Sequence, residues 1–584
     1  MTGPTGVSGL RSREWFDGDD EVAVLHRVAL RSAGIELDAA HDRPVIGIAD
    51  SSSDLNPCNL PLRALVDEVK AGVAEAGGVA VAFGVMSLGE DLMKPSAMLY
   101  RNLLSMEVEE YLRAYPVDGV VLLANCDKSV PGAVMGALSA DLPAITVTAG
   151  ARPVARFRGQ RVGTGTDLWR AWEDHRTGAM DDATWQEFER CLACGQGACN
   201  TMGTASSMAA VIETLGLSLP GTGLIPADDP DRPAAARQAG RRIVGMVTEG
   251  LAPSAIVTDA ALRNAFRVLH ALGGSTNAII HLLAIAGRTG STLRLDDVAA
   301  LGRDIPVIAD VEPSGRFLVQ DLHAAGGVPA VLRALGDRIE LDPLTVTGRS
   351  WREELASLDP LPGRPSEALR DPSAPLKAGG AFAVVRGSLA PDGAVLKTSA
   401  ASPALFRHRG PALVFSSYQE MRHRVDDPDL DVTADTVLVL AGAGPVGVPG
   451  LPEWGMIPIP AKLAANGVTD MVRVTDARMS GTSFGTCFLH VAPEAAVGGP
   501  LALVRDGDVI SVDVEAGRLD LEVDPAELAR RREQWVRVPR EHLRGWPALY
   551  QSHVTQADTG CDFDFLLAPT PAHRRFVPPV VGRS

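Results

Sequence analysis

Three adjacent side chains with unlike chemistry, Cys126, Asp127 and Lys128, end the apolar run VVLLAN. A thiolate suits iron, zinc or Cu(I), whereas a carboxylate suits magnesium, calcium or manganese, so one point on the chain offers ligands to two different metals. The plainer alternative is a buried, strand-ending cysteine followed by a solvated Asp–Lys pair. Cys191, Cys194 and Cys199 form C-x2-C-x4-C, a spacing that can seed a zinc or iron–sulfur site but lacks a fourth ligand nearby. Glu453 and Ser480 are the reactive groups of two Gly-rich loops, which bring backbone close to ligands and also simply make turns. Cys487 and Cys561 have no partner in view and read as buried or incidental thiols.

These residues need elements to position them. PVIGIAD (44–50), VAVAFGV (79–85), DGVVLLAN (118–125) and PAITVTAG (143–150) read as short buried strands. Between the first two, Leu62, Leu65, Val66, Val69 and Val73 recur at helical spacing. This alternation predicts an α/β fold, a mostly parallel sheet covered by helices. Cys58 then follows the first strand, Glu90 the second and Cys126–Lys128 the third. Ligands in open α/β sheets bind just beyond the carboxyl ends of the strands, so thiols and carboxylates arrive at one edge. Residues 151–350 read as mainly helical beyond a loop at 155–170. Two stretches there, CNTMGTASSM and LGGSTNAIIH, join a small-residue turn to an apolar helix, which suits either anion binding or tight helix packing. The proline-rich segment 358–380 reads as a linker between domains at 1–357 and 381–584. The second domain is β-rich, and DVISVDVEAGRLDLEV predicts an antiparallel hairpin of a barrel or sandwich, turning at Ala516-Gly517.

The formal charge of −17 over 584 residues disfavours nucleic acid and acidic membrane surfaces as partners. The first residues lack the apolar core of a signal peptide, and no uninterrupted apolar span appears. Seven cysteines are too sparse for a disulfide framework and point to reduced thiols in the cytoplasm.

SDLNPCN, MSLGEDLMKPSAML, ANCDKSVPG, CNTMGTASSM, LGGSTNAIIH, GPVGVPGLPE and VTDARMSGTSFGT occur in this order. With them the chain resembles the dihydroxy-acid dehydratase and 6-phosphogluconate dehydratase family over nearly its whole length, within it the branch acting on sugar acids such as pentonates. The resemblance implies an iron–sulfur cluster held by Cys58, Cys126 and Cys199, of the 2Fe–2S type, with 4Fe–4S the alternative. It implies Mg2+ held by Glu90, Asp127, Lys128 and Glu453, with Lys128 as a carbamate, since a hard cation needs oxygen ligands. It also implies Ser480 as the base, a small-molecule sugar-acid substrate, and a homo-oligomer, dimer or tetramer.

The activity so implied is dehydration of an aldonate, for example arabinonate or xylonate, to its 2-keto-3-deoxy acid. Magnesium would take the carboxylate and C2 hydroxyl, the open iron the C3 hydroxyl, and Ser480 the Cα proton as an alkoxide. A serine hydroxyl is a poor base in water, so neighbouring positive charge must favour its ionised form. Cys191 and Cys194 match no ligand position of the family. Alternatives are the dihydroxy-acid dehydratase of branched-chain amino-acid synthesis and, from another class, an iron–sulfur redox protein, which has no use for carboxylates beside its cluster.

Overall fold

The computed structural model describes residues 9–37, 41–358, 366–537 and 544–568. Strands β1 (Val45–Asp50), β2 (Val79–Gly84), β3 (Gly119–Leu123) and β4 (Ala144–Val147) form a wholly parallel sheet in the order β2-β1-β3-β4. β3 is buried along its whole length, as a run of apolar residues covered on both faces must be. The helix Leu62–Glu75 buries Leu62, Leu65, Val69 and Val73, with Val66 half-buried at the margin of that stripe. It packs very closely on the helix Asp231–Glu249: a Cβ on Gly72 would lie 1.9 Å from Arg237 O, and one on Gly240 2.3 Å from Val69 O. The chain leaves β1 toward β2 on one side and β3 toward β4 on the other. The crevice between the loops after β1 and β3 is therefore the topological switch point of the sheet.

Residues 155–162, expected as part of a loop, include a small hairpin of β5 (Ala155–Phe157) and β6 (Gln160–Val162). The rest of the region to 350 is mainly helical, including helices Thr166–Arg176, Thr204–Thr214 and Thr276–Thr289. Of the expected linker 358–380, residues 359–365 lie outside the described residues; the remainder pairs with the first domain, Lys377 with Val307 and Leu369 with Ala309. The expected domains 1–357 and 381–584 also extend onto residues 1–8, 38–40, 538–543 and 569–584, which are not described.

The second sheet has the strands β7 (Phe382–Val385), β8 (Gly393–Lys397), β9 (Arg407–Phe415), β10 (Val437–Leu440), β11 (Arg473–Thr475), β12 (Cys487–Ala492), β13 (Val509–Asp513) and β14 (Arg518–Glu522). Its order is β14-β13-β9-β10-β11-β12-β8-β7. The 509–522 hairpin pairs antiparallel as expected, Ile510 opposite Leu521 and Val512 opposite Leu519. β9 to β12, in contrast, run parallel, and the fully buried runs of β10 to β12, such as VLVL, carry no alternation from which this could be read. Past β7, Arg386 N–H donates to Gly517 O at 2.8 Å and Arg386 O accepts from Leu519 N–H at 2.9 Å, which nearly closes the sheet into a barrel. Val385, Leu396, Val439, Val474, Phe488 and Ile510 lie in one apolar cluster of this domain. The chain then returns to the first domain, where buried Arg101 donates to Gly560 O (2.9 Å) and Cys561 O (2.8 Å). No helix among the described residues is long and apolar enough to cross a membrane.

Candidate active site

The loops after β1, β2 and β3 are tied together by one buried amide. Asn59 Oδ1 accepts from Cys126 N–H at 2.7 Å, while its Nδ2 lies within 3.0–3.2 Å of Ser51 Oγ, Ser87 Oγ and Ser129 Oγ. A second buried amide, Asn125, donates to Cys58 O (2.7 Å) and Gly150 O (3.0 Å) and accepts from Ala149 and Gly150 N–H. Gly150 O in turn accepts from Ala198 N–H at 3.0 Å, which sets the position of Cys199 against the loop after β4.

Three thiols converge in consequence. Cys126 lies within electrostatic reach of Cys58, and Cys199 of Cys58, Arg152 and Asp127. Cys58 and then burial hold the Cys126 thiol well above the ordinary range; burial pushes Cys199 up to about 12, although Arg152 opposes it. Thiolates at these positions therefore need a cation beside them. Arg152, whose Nη2 is 3.8 Å from Cys58 Sγ, is the one the protein supplies.

Asp127 joins this set to a second one. Its Oδ1 accepts from Cys126 Sγ–H at 3.4 Å, and its Oδ2 is 2.5 Å from Lys128 Nζ. Lys128 is fully buried, with Glu453 Oε1 at 3.2 Å and Glu90 Oε2 at 3.4 Å. Ligand atoms of Glu90, Asp127 and Glu453 lie within 4.8 Å of one another, a group able to hold one metal ion. Burial and Arg478 work against the Lys128 charge, but the three carboxylates outweigh them and raise its pKa. Burial likewise raises Glu90 against the pull of Lys128, while at Glu453 Lys128 and Arg478 overcome burial and lower the pKa. Glu90 Oε2 is buried and makes no hydrogen bond.

The barrel domain completes the site through Arg478. Its guanidinium donates to Glu453 Oε1 (2.7 Å), Leu451 O (2.6 Å) and Ser96 Oγ (2.8 Å), and Ser96 Oγ–H donates to Glu90 Oε1 at 2.8 Å. Asn277 Nδ2 reaches both Glu453 Oε1 (2.6 Å) and Met479 O (3.2 Å), so the residue before Ser480 is tied directly to the carboxylates. Ser480 is half-buried, 2.9 Å from Thr482 Oγ1. The next residue fits only as glycine, since a Cβ on Gly481 would lie 2.6 Å from both Thr204 N and Ser275 Oγ. The two small-residue turns of the sequence thus seat the serine loop on helix N-termini.

Cys58, Cys126, Cys199, Glu90, Asp127, Lys128, Glu453 and the Ser480 loop are brought together. Cys191 and Cys194 are not: they pack in a separate apolar cluster with Phe157, Trp185 and Phe188, and Cys194 Sγ–H donates to Pro153 O at 3.0 Å. Cys487 and Cys561 are fully buried, and all seven cysteines are free. Sequence reasoning missed Asn59, Asn125, Ser96, Arg152 and Arg478 as parts of the site. The available signal was polar side chains flanking the cysteines at the ends of apolar strands, where an unpaired amide would be costly.

Two family models match the chain: dihydroxy-acid/6-phosphogluconate dehydratase N-terminal over residues 43–354, and the corresponding C-terminal model over 367–561. The chain is 48% identical over 562 residues to a 6-deoxy-6-sulfo-D-gluconate dehydratase of Pseudomonas putida, covering 96% of this chain and 97% of that one. It is 47% identical to an L-arabonate dehydratase of Azospirillum brasilense (97% and 98% covered) and 46% identical to an L-arabinonate dehydratase of Rhizobium leguminosarum bv. trifolii (95% and 96%).

Proposed function

The chain belongs to the dihydroxy-acid/6-phosphogluconate dehydratase family, and we propose that it dehydrates a sugar acid, an aldonate such as arabinonate or xylonate, to the 2-keto-3-deoxy acid. It is an enzyme of the hydro-lyase class, and relatives named for sugar acids along nearly its full length favour that substrate class over a branched dihydroxy acid. The observation that carries the reading is the meeting of two buried thiols and a half-buried third, a carboxylate trio and a half-buried serine at the switch point of the sheet.

The donor sets fit the cofactors expected. Cys58, Cys126 and Cys199 would hold an iron–sulfur cluster, 2Fe–2S by family resemblance with 4Fe–4S the alternative, because the raised Cys126 and Cys199 thiols need a cation to ionise. Glu90, Asp127 and Glu453 suit Mg2+, and Glu90 Oε2, which makes no hydrogen bond, loses its ion-pair partner at 3.4 Å once Lys128 is a carbamate and is then free to ligate. As an amine, Lys128 puts its own positive charge among these carboxylates and opposes a divalent cation; carbamylation converts it to an oxygen donor, so it belongs to the magnesium set as a carbamate. An unmodified Lys128 ammonium seen in active, magnesium-loaded protein overturns that assignment. Bound at these residues, the metals supply Lewis-acid stabilisation for charge on the substrate carboxylate, the C2 hydroxyl and the departing C3 hydroxyl.

The chain's own residues handle the proton. Ser480 Oγ, ionised, takes the Cα proton; the same proton passes to the departing C3 hydroxyl, which leaves as water, and Ser480 returns to its starting form. The enol left behind tautomerises to the keto acid. Arg478 and Asn277 hold Glu453 and the Ser480 loop in one frame, so that the groups acting on Cα and on the carboxylate keep a fixed separation. The free cysteines agree with a cytoplasmic setting, and the family resemblance with a homodimer or homotetramer, which light scattering decides.

The test is turnover of pentonates, hexonates and 2,3-dihydroxyisovalerate with the keto acid measured, in wild type and Ser480→Ala. An aldonate should be the best substrate, and Ser480→Ala should lower kcat by roughly 10²–10⁴ while iron and magnesium stay bound. Preference for dihydroxyisovalerate refutes the substrate class, and near-normal kcat in Ser480→Ala refutes the base.

A further inference from the structure

We propose that Trp169, on the helix Thr166–Arg176, is a positioning residue that acts through Thr482 to make Ser480 Oγ a hydrogen-bond acceptor. The inference rests on the reading of Ser480 as the base and deepens it, because it identifies what favours the ionised serine. Trp169 Nε1 lies 2.9 Å from Thr482 Oγ1, and Thr482 Oγ1 lies 2.9 Å from Ser480 Oγ. An indole N–H only donates, so Thr482 Oγ1 is an acceptor toward Trp169 and keeps one proton to give. The acceptor facing that proton is Ser480 Oγ, which Thr482 N–H also approaches at 3.4 Å. An ionised Ser480 Oγ only accepts, so both groups directed at it then donate, and hydrogen bonds to the charged form favour it.

The rest of the turn is built for this direction. Thr482 O accepts from Thr166 Oγ1–H at 2.9 Å, which fixes the threonine at a second point. Gly165, at φ +105°, and Gly203 leave room for its side chain: a Cβ would lie 2.7 Å from Thr482 Cγ2 at the first and 2.9 Å at the second. The Ser480–Thr482 turn consequently touches the first turns of three helices, beginning at Thr166, Thr204 and Thr276, whose positive dipole ends add to the stabilisation of an anion. Of the nearby charges, Asp167, Arg170 and Glu312 are engaged with one another, Arg170 donating to Asp167 (2.9 Å) and Glu312 (3.3 Å), and Arg478 donates to Glu453 (2.7 Å). Trp169 is thus a first-domain group that reaches Ser480 Oγ through two successive hydrogen bonds.

Trp169→Phe keeps the ring and removes the N–H. It should lower kcat about ten- to hundredfold, the worth of one hydrogen bond to a charged group, with KM little changed and the alkaline rise of kcat/KM moved to higher pH. In a Thr482→Val background the same substitution should cost nothing further, since the indole acts only through the hydroxyl, and Thr482→Ser should restore most of the rate. Independently of turnover, 15N-indole spectra of the purified protein should show the Trp169 N–H, identified by its loss in Trp169→Phe, move upfield in Thr482→Val. Wild-type kcat and pH profile in Trp169→Phe, or an unmoved indole resonance in Thr482→Val, overturns the relay while Ser480→Ala remains inactive. An active Ser480→Ala enzyme instead removes the premise.

Discussion

On the four-stranded sheet, reactive side chains leave from the ends of neighbouring strands, and buried amides of the same domain hold them: Asn59 and Asn125 join the loops after all four strands. The barrel contributes from loops, and what holds Glu453 and Ser480 reaches across the domain boundary. Arg478 meets Ser96 of the first domain, Asn277 meets Glu453, and the serine turn rests on first-domain helices. The sheet half carries its own support; the barrel half takes its geometry from docking. The carboxylate and serine loops of one half thus meet the strand ends of the other, a placement common where sites form between domains.

The comparison breaks most sharply at the thiols. Cys58→Ser, Cys126→Ser and Cys199→Ser should each abolish turnover and lose the visible absorbance of the proposed cluster, because Cys191 and Cys194 lie in a separate apolar cluster. Retention of iron by any of them shows a different ligand set. Arg478→Lys tests the other half. Lysine is a point charge where three partners need a fork, so Glu453 and the Ser480 loop lose registration. A fall in kcat of about 10²-fold is expected, the cost of an ångström-scale misplacement, with iron content unchanged. Iron lost together with activity would show that the two halves are not independent.

What the sequence reveals follows the same division. β1 to β3 and the placement of Cys58, Glu90 and Cys126 behind them are legible because fully covered parallel strands read as apolar runs, and their ends share one edge of the sheet. The stripe Leu62, Leu65, Val69 and Val73 is legible from period alone. The parallel centre of the barrel is not: the four buried residues of β10 and the three of β11 show neither period nor partner. Asn59 and Arg478 escape for another reason. An amide or guanidinium beside a motif reads as solvated until the fold removes water from it, and only the three-dimensional arrangement shows Asn59 and Arg478 fully buried.

Asn59→Ala gives a smaller effect on chemistry and a clear one on stability. Cys126 N–H and several serine hydroxyls would lose a buried partner, at a cost of about 2–4 kcal/mol by the usual penalty for unsatisfied groups. The denaturation midpoint should fall and iron loading weaken, although Asn59 is no ligand. An unchanged midpoint would mean that water replaces the amide and that the sheet edge is less self-supporting than its bonds suggest.

Replacing Cys191 or Cys194 with serine sharpens the comparison by lying outside both halves. Sequence spacing groups them with Cys199, and a zinc or cluster site built on C-x2-C-x4-C would need all three thiols to point inward. Instead the chain turns between them. Gly195 (φ +141°) and Gly197 (φ +123°) adopt backbone conformations that L side chains rarely take, and a Cβ on Gly197 would lie 2.7 Å from Arg152 N. The turn leaves Cys191 and Cys194 among Phe157, Trp185 and Phe188, while Cys199 continues to the sheet edge. Half-buried thiols in an apolar patch contribute packing, and serine of similar size costs about 1 kcal/mol or less there. Each variant should therefore keep its cluster and a kcat within about twofold of wild type. Loss of visible absorbance in Cys194→Ser, with retention in Cys199→Ser, would move the third ligand to the other side of this turn, and the sheet edge would then hold only two of its three thiols.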